Sequence, residues 1–282
     1  MIYFSNYKIG LEDIGRNNEA TNKALLAIMQ DIACLHSASV GYGVLEIETK
    51  KRAWMLLDWK MEVIKRPKYN DDIKVETWSR KVERLYAYRD FQIKDKEGNI
   101  IVIGTSRWIF VDTDRRRPVR LTADIADLYE SETDKNVFLE EMEDIKCGDY
   151  LFKKDYCIQR RDIDINQHMH NLSYLDMAYE ILPDNIYNNK VFNNIRIVYK
   201  KEILYGENVE CYYEEQNNKH IITAKWTKQS RRYIMRCCRG YWRWRIPFRC
   251  RALRRRISIR YFSCCGWIIR RFSGRPATST GI

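Results

Sequence analysis

The chain has 282 residues, 45% of them apolar and 13% aromatic, enough for one large or two small cores and too aromatic for disorder over most of its length. Fifteen of its 50 Lys and Arg lie in 231–282, where there is no Asp or Glu, so residues 1–230 carry a net charge of −3 and the overall +12 belongs to the tail. No run approaches the roughly eighteen apolar residues of a membrane span, and the opening MIYFSNYKIG has no basic-then-apolar leader, so a soluble protein acting in the cytoplasm is expected.

In chain order, the first element is a strand that leads through a turn into a helix. Ala24, Leu25, Leu26, Ile28, Met29, Ile32, Ala33 and Leu35 give that helix a broad apolar face, Thr21 and Asn22 supply N-cap chemistry, and Gly41 and Gly43 follow its end. Strands are then predicted over 54–64, 73–78, 85–93 and 100–111, the last two joined through the turn Lys96-Glu97-Gly98-Asn99. An acidic stretch over 122–148 reads as a connector. Beyond it a second helix spans 171–182, stopped by Pro183, and strands follow at 192–199, 209–214 and 221–226.

The order of elements is the same in both halves because the chain repeats itself. A shift of 149 residues lays Tyr7, Ile9, Asp13 and Ile14 on Tyr156, Ile158, Asp162 and Ile163. A shift of 136 lays 69–73 on 205–209, so the first copy carries about 13 extra residues around GYGVLEIETKKRA. A helix against an antiparallel sheet, used twice, is an α+β layer fold. The limits read as 1–135 and 151–230, with a linker over 136–150 and a separate tail over 231–282.

Chemistry concentrates at the turn before the second helix, Arg161-Asp162-Ile163-Asp164-Ile165-Asn166-Gln167-His168-Met169-His170-Asn171. Asp164, Asn166 and His168 bring a carboxylate, an amide and an imidazole to the mouth of a helix whose N-terminal N–H groups favour a developing oxyanion. The first copy has Gly15, Asn17 and Glu19 at those positions. The scaffold is duplicated and the imidazole is not, which argues for a site in the second copy; the plainer reading has Asp164 and Asn166 capping the helix and His168 on the surface.

The run D-I-D-I-N-Q-H-M-H-N-L-S-Y-L, with Glu180 and Pro183 behind it, resembles the active-site segment of the acyl-ACP thioesterases, D-[LV]-D-x-N-Q-H-x-N-N-x-x-Y-x-x-W followed by E-x-x-P. Trp54 thirteen residues before Pro67, Glu76-Thr77-Trp78 and Ser106-Arg107-Trp108 extend the resemblance over about residues 3–228. It implies two tandem hotdog folds, each a long helix packed on an antiparallel sheet, and hydrolysis of fatty acyl-ACP. It also implies the catalytic set Asp164, Asn166, His168 and Glu202, the last in Tyr199-Lys200-Lys201-Glu202-Ile203. Where the family has Cys after that Glu, this chain has Ile203, so a cysteine nucleophile is excluded there. Asn171 matches the second Asn of the pattern, and His170 replaces the first. Which carboxylate is base and which is nucleophile stays open.

By the same resemblance the first copy holds the acyl chain, with Leu25, Ile28, Met29, Ile32 and Trp54 as candidate walls and Asn171 beside the substrate. Arg160, Arg161, Lys200 and Lys201 are candidates for docking the acidic acyl carrier protein. No cofactor or metal is expected: Cys34, Cys147, Cys157 and Cys211 are scattered with no C-x-x-C. A homodimer is left open.

After Gln229 the composition changes abruptly, with no Lys, Asp, Glu, Asn or Gln in 231–282 and with Cys237, Cys238, Cys250, Cys264 and Cys265. Translation out of frame accounts for this, leaving a weak last strand near 232–242 and disorder beyond about 245. Two competing functions are an acyl-CoA thioesterase of the same fold and a basic nucleic-acid-binding protein acting through the tail.

Overall fold

Thr21 sets the start of the longest helix: its Oγ1 accepts the Ala24 N–H at 3.1 Å, as an N-cap should. Replacing Thr21 with Ala should cost about 1 kcal/mol in a urea melt, the usual value of a lost cap. In this computed structural model, which describes residues 1–226 apart from 141, 143, 144, 146 and 147, that helix is α1 (Asn22–Ser39). It follows β1 (Ile2–Lys8) and precedes the one-turn α2 (Ile47–Lys50). Next come β2 (Arg52–Val63), β3 (Asp72–Glu83), β4 (Tyr86–Lys94), β5 (Ile100–Asp112), the two-residue β6 (Arg117–Pro118) and α3 (Ala123–Ala126). The second copy has β7 (Phe152–Cys157), α4 (Ser173–Ile181), α5 (Asp184–Asn189), β8 (Asn194–Val198), β9 (Asn208–Gln216) and β10 (Lys219–Trp226). The described residues belong to one unit, Met1–Tyr233.

The duplication holds down to the register. β1 pairs β3 with Lys8 opposite Asp72, and β7 pairs β9 with Cys157 opposite Asn208, the same pair displaced by 149 and 136 residues. One sheet runs β1-β3-β4-β5-β2-β8, and the other runs β10-β9-β7. β8 therefore belongs by sequence to the second copy and by hydrogen bonding to the first, where Asp58 to Glu62 of β2 face Val198 to Asn194. The counterpart of β5 would fall in 232–242; that expectation, and the one for the rest of the tail, lies outside the described residues.

α1 packs its apolar face on the first sheet, burying Leu25, Leu26, Ile28, Met29 and Ile32 against Trp59, Met61, Phe91 and Val102. Gly104 of β5 permits the close approach, since a Cβ there would stand 2.9 Å from the Met29 Sδ. A second cluster under α4 holds Ile158, Met177, Ile181, Val209 and Tyr213. Leu172 and Leu175 of the second copy enter the first cluster, so the two cores touch.

At the seam, Asp58 is fully buried at a bulge in β2, with the guanidinium of Arg107 from β5 bonded to its Oδ2 and that of Arg196 from β8 at 3.7 Å. Burial pushes the Asp58 carboxyl up from the usual range, and the two guanidiniums, Arg196 and then Arg107, pull it back only in part.

The second helix is shorter than the predicted 171–182. Residues 170–172 form a turn, the Ser173 N–H bonding the His170 carbonyl at 2.9 Å, so helical geometry starts only at Ser173. Pro183 ends α4 and then opens α5, its fixed φ of −58° suiting a helix entry. The strand expected over 192–199 is confined to 194–198, and the Phe192 carbonyl and Asn193 side chain ahead of it are held by Arg66.

Candidate active site

The site is built on a turn that the chain makes twice. After β7 a single turn of 3₁₀ helix (Arg160–Asp162) buries Asp162, whose Oδ2 accepts from the Gln159 N–H at 2.7 Å and the Tyr156 hydroxyl at 3.1 Å. Asp13 does the same for Gly10 and Tyr7. The loop then doubles back: the Asp164 N–H bonds the His168 carbonyl at 2.9 Å, with Gln167 at φ +64°. Gly15 and Glu19, with Asn18 at φ +58°, repeat it.

A short ladder brings the returning limb against the segment after β8. His168 faces Leu204 in an antiparallel bridge, and the Met169 N–H bonds the Ile203 carbonyl at 2.7 Å. That registration sets the His168 Nε2 3.1 Å from the Glu202 Oε2. The imidazole is mostly sheltered, 18% exposed, and the carboxylate is 45% exposed, so the pair has one side in the protein and one open to solvent. A carboxylate only accepts, so Nε2 carries the proton and Nδ1 keeps its lone pair while the ring is neutral.

Asp164 does something different. Its Oδ1 accepts the N–H groups of Asn166 at 2.8 Å and His168 at 3.3 Å, and its Oδ2 meets the Asn166 amide at 3.4 Å. The carboxylate thereby holds the loop that presents His168, while Glu202 is the acid on the imidazole. Asn166 is exposed beside it. Asn171 is half-buried, and its carbonyl accepts the Tyr199 hydroxyl at 3.0 Å. His170 stands where the first copy has the cap Thr21, and its Nδ1 accepts the Leu172 N–H at 3.2 Å, a capping role.

Two residues at this turn were not singled out in the sequence. Tyr174 donates its hydroxyl to the Lys201 carbonyl at 3.3 Å, and burial, with Glu202 nearby, pushes its phenol up to about 12. Arg66 occupies in the first copy the place of Glu202. Its Nη1 donates to the Ala20 carbonyl and Asn22 Oδ1, and its Nη2 to the Phe192 carbonyl and Asn193 Oδ1, at 2.8–3.1 Å. The first copy thus has Glu19 and Arg66 where the second has His168 and Glu202; its cation is spent on holding the chain that enters β8.

The cationic candidates fall on the same loop. Lys200 and Lys201 immediately precede Glu202, and Arg160 donates from Nε to the Tyr205 hydroxyl at 3.3 Å. Arg160, Arg161, Lys200 and Lys201 are all exposed. The acyl-wall candidates divide. Leu25, Ile28, Met29 and Ile32 are packed in the core, whereas Trp54 lines a cavity of about 90 Å³ at the C-terminal end of α1. Tyr42, Gly43, Val44 and Ile47 of the inserted segment close it. Among the described residues no group of three or more His, Cys, Asp or Glu could hold a metal ion, and no helix is long and apolar enough to cross a membrane.

Two successive helix-on-sheet modules, with a sheet continued through β8, define a tandem hotdog fold, and one of the two turns carries an acid–imidazole pair. Residues 1–129 match the model of the acyl-ACP thioesterase N-terminal domain and residues 146–244 that of the C-terminal domain. The chain belongs to the acyl-ACP thioesterase family. It is 24% identical over 241 residues to the chloroplastic oleoyl-acyl carrier protein thioesterase 2 of Arabidopsis thaliana, covering 78% of this chain and 65% of that one. It is 24% identical over 217 residues to the dodecanoyl-[acyl-carrier-protein] hydrolase of Umbellularia californica, covering 72% and 56%. The chain therefore spans less than two thirds of the length of these curated relatives. In fold it is similar to an acyl-ACP thioesterase from Bacteroides thetaiotaomicron, with a TM-score of 0.71, 22% identity and coverage of 80% of this chain and 92% of that one. The 12:0-ACP thioesterase of Umbellularia californica gives 0.68, at 19% identity and 80% and 93% coverage.

Proposed function

We propose that this chain hydrolyses the thioester of fatty acyl-ACP, releasing the fatty acid and ending chain elongation, with the second copy as its catalytic half and the first as its acyl-holding half. The observation that carries this is the contact of His168 with Glu202, made at one turn of the duplicated scaffold and replaced by Glu19 and Arg66 at the other.

In the reaction, Glu202 takes a proton from water as the water oxygen bonds to the thioester carbon. The carbonyl oxygen gains the negative charge and is held by Asn166 and by N–H groups at the start of α4. When the intermediate collapses, the carbon–sulfur bond breaks, and the proton that Glu202 took from water passes through the His168 imidazole to the departing thiolate, returning both groups to their starting state. Asp164 keeps the His168 loop in place. The match to both domains of the acyl-ACP thioesterases supports the substrate, and the inserted segment, which closes a cavity in the first copy, supports its role in holding the chain.

Purified full-length chain should release thiol from decanoyl-ACP at a kcat/KM at least about tenfold above that for decanoyl-CoA, the discrimination a charged carrier surface can supply. Equal rates on both carriers would favour the acyl-CoA reading, and no release from either would end the proposal. Reversing Lys200 and Lys201 together to Glu should raise KM for acyl-ACP about tenfold at low ionic strength, with the difference shrinking as salt screens it.

A further inference from the structure

The cavity in the first copy has on its wall a charge that no carboxylate among the described residues balances. Arg89 of β4 is 7% exposed and stands on its wall. A guanidinium stays protonated, and burying one without an anion costs several kcal/mol. The other sheltered arginines are provided for: Arg107 and Arg196 meet Asp58, Arg80 meets Asp90, Arg52 meets Asp112, and Arg66 has four acceptors. Among the described residues no carboxylate pairs with Arg89. Its side-chain hydrogen bonds among the described residues both leave Nη1, to His36 Nδ1 at 2.7 Å and to Thr77 Oγ1 at 3.2 Å, and its guanidinium stands 5.7 Å from the centre of the Tyr129 ring.

These neighbours are neutral. His36 is fully buried, and desolvation, with Arg89 beside it, holds its ring near a pKa of about 3. Arginine only donates, so His36 Nδ1 accepts, and the ring can bring no negative charge. The rest of the wall is largely apolar and aromatic, with Trp54, Trp108, Leu121 and Val82. One buried cation in such a wall is the complement of an alkyl chain that ends in an acid.

We propose that this cavity binds the carboxylate end of a fatty chain, paired with Arg89 and with the first methylenes against Trp54 and Trp108. This rests on the reading of the first copy as the acyl-holding half, and not on hydrolysis. The carboxylate comes either from a free fatty acid entering head first or from an acyl chain bearing a second acid at its far end.

Trp54 and Trp108 supply the readout. Intrinsic fluorescence of the full-length protein, titrated at pH 8 below micelle formation, should show decanoate binding at least about tenfold tighter than methyl decanoate, as a charge-assisted bond requires. Arg89→Met should erase that difference while keeping the ester's affinity, with a thermal melt checking that the variant folds. Equal binding of acid and ester by the wild type overturns the proposal whatever the variant does, and so does a preference that survives in folded Arg89→Met. Two further assays identify the source. Competitive inhibition of acyl-ACP hydrolysis by decanoate marks the free acid, and a KM about tenfold lower for an acyl-ACP with a terminal carboxylate than for its unsubstituted counterpart marks the substrate, again at the scale of one charge-assisted bond. Acid-selective binding in a chain that hydrolyses nothing would remove the proposed function and leave this site standing.

Discussion

Glu202→Gln should lower kcat for acyl-ACP by about 10²–10⁴-fold, the range expected when a general base is lost. The exchange keeps the size of the side chain and a hydrogen bond to His168 while removing the negative charge. Because Glu202 is 45% exposed and its side chain meets only His168 among the described residues, the thermal melt should stay within about a degree of the wild type, as for ordinary surface substitutions. His168→Ala should fall by a similar factor, and the double variant should be scarcely worse than either single one, since residues acting as a unit are not additive. Asp164→Asn should be milder, because an amide oxygen can still accept the Asn166 and His168 N–H groups. Wild-type turnover in Glu202→Gln, or a larger loss in Asp164→Asn than in Glu202→Gln, would move the acid–base role to Asp164.

The second large effect is on stability. Asp58→Asn should cost about 3 kcal/mol in urea unfolding, at the low end for breaking a buried ion pair because Arg107 and Arg196 keep some access to water. The variant removes the carboxylate that Arg107 and Arg196 share at the seam. Replacing all three residues by apolar ones of similar volume should recover much of the loss, since the triad's desolvation offsets much of its attraction. A loss below about 1 kcal/mol for the single exchange would mean that water already screens the triad.

The duplicated architecture was legible because two features survive divergence in a single chain: the pairing motif at the turn and the spacing of strand ends. Both shifts reappear as the registers of β1 with β3 and β7 with β9. The candidate cluster was legible for a related reason, since Asp164 and His168 lie close in sequence and Glu202 follows in a motif. The different placing of the two carboxylates was not, because only the fold shows that the side chain of Asp164 turns back on its own loop, bonding the Asn166 and His168 N–H groups.

The helix face of Leu25, Ile28, Met29 and Ile32 was compatible with a tunnel wall or with a core, because periodicity reports burial and not what does the burying. The inserted segment, irregular and without period, made the cavity instead. Arg66 and Arg89 carried no sequence signal: a charged residue inside a strand or a turn reads as solvated until its neighbours in space are known. The pairing of β8 with β2 is likewise a contact between residues more than 130 positions apart.

That pairing has a bearing on ancestry. Glu202 lies four residues beyond the end of β8, which is laddered to β2, while His168 is carried by the loop ahead of α4. The acid is therefore aimed from a strand hydrogen-bonded into the first copy's sheet and the imidazole from a loop of the second copy. Neither half could be exchanged for a cousin's without resetting the gap between proton donor and acceptor, so after duplication the two are bound to drift together as one heritable part.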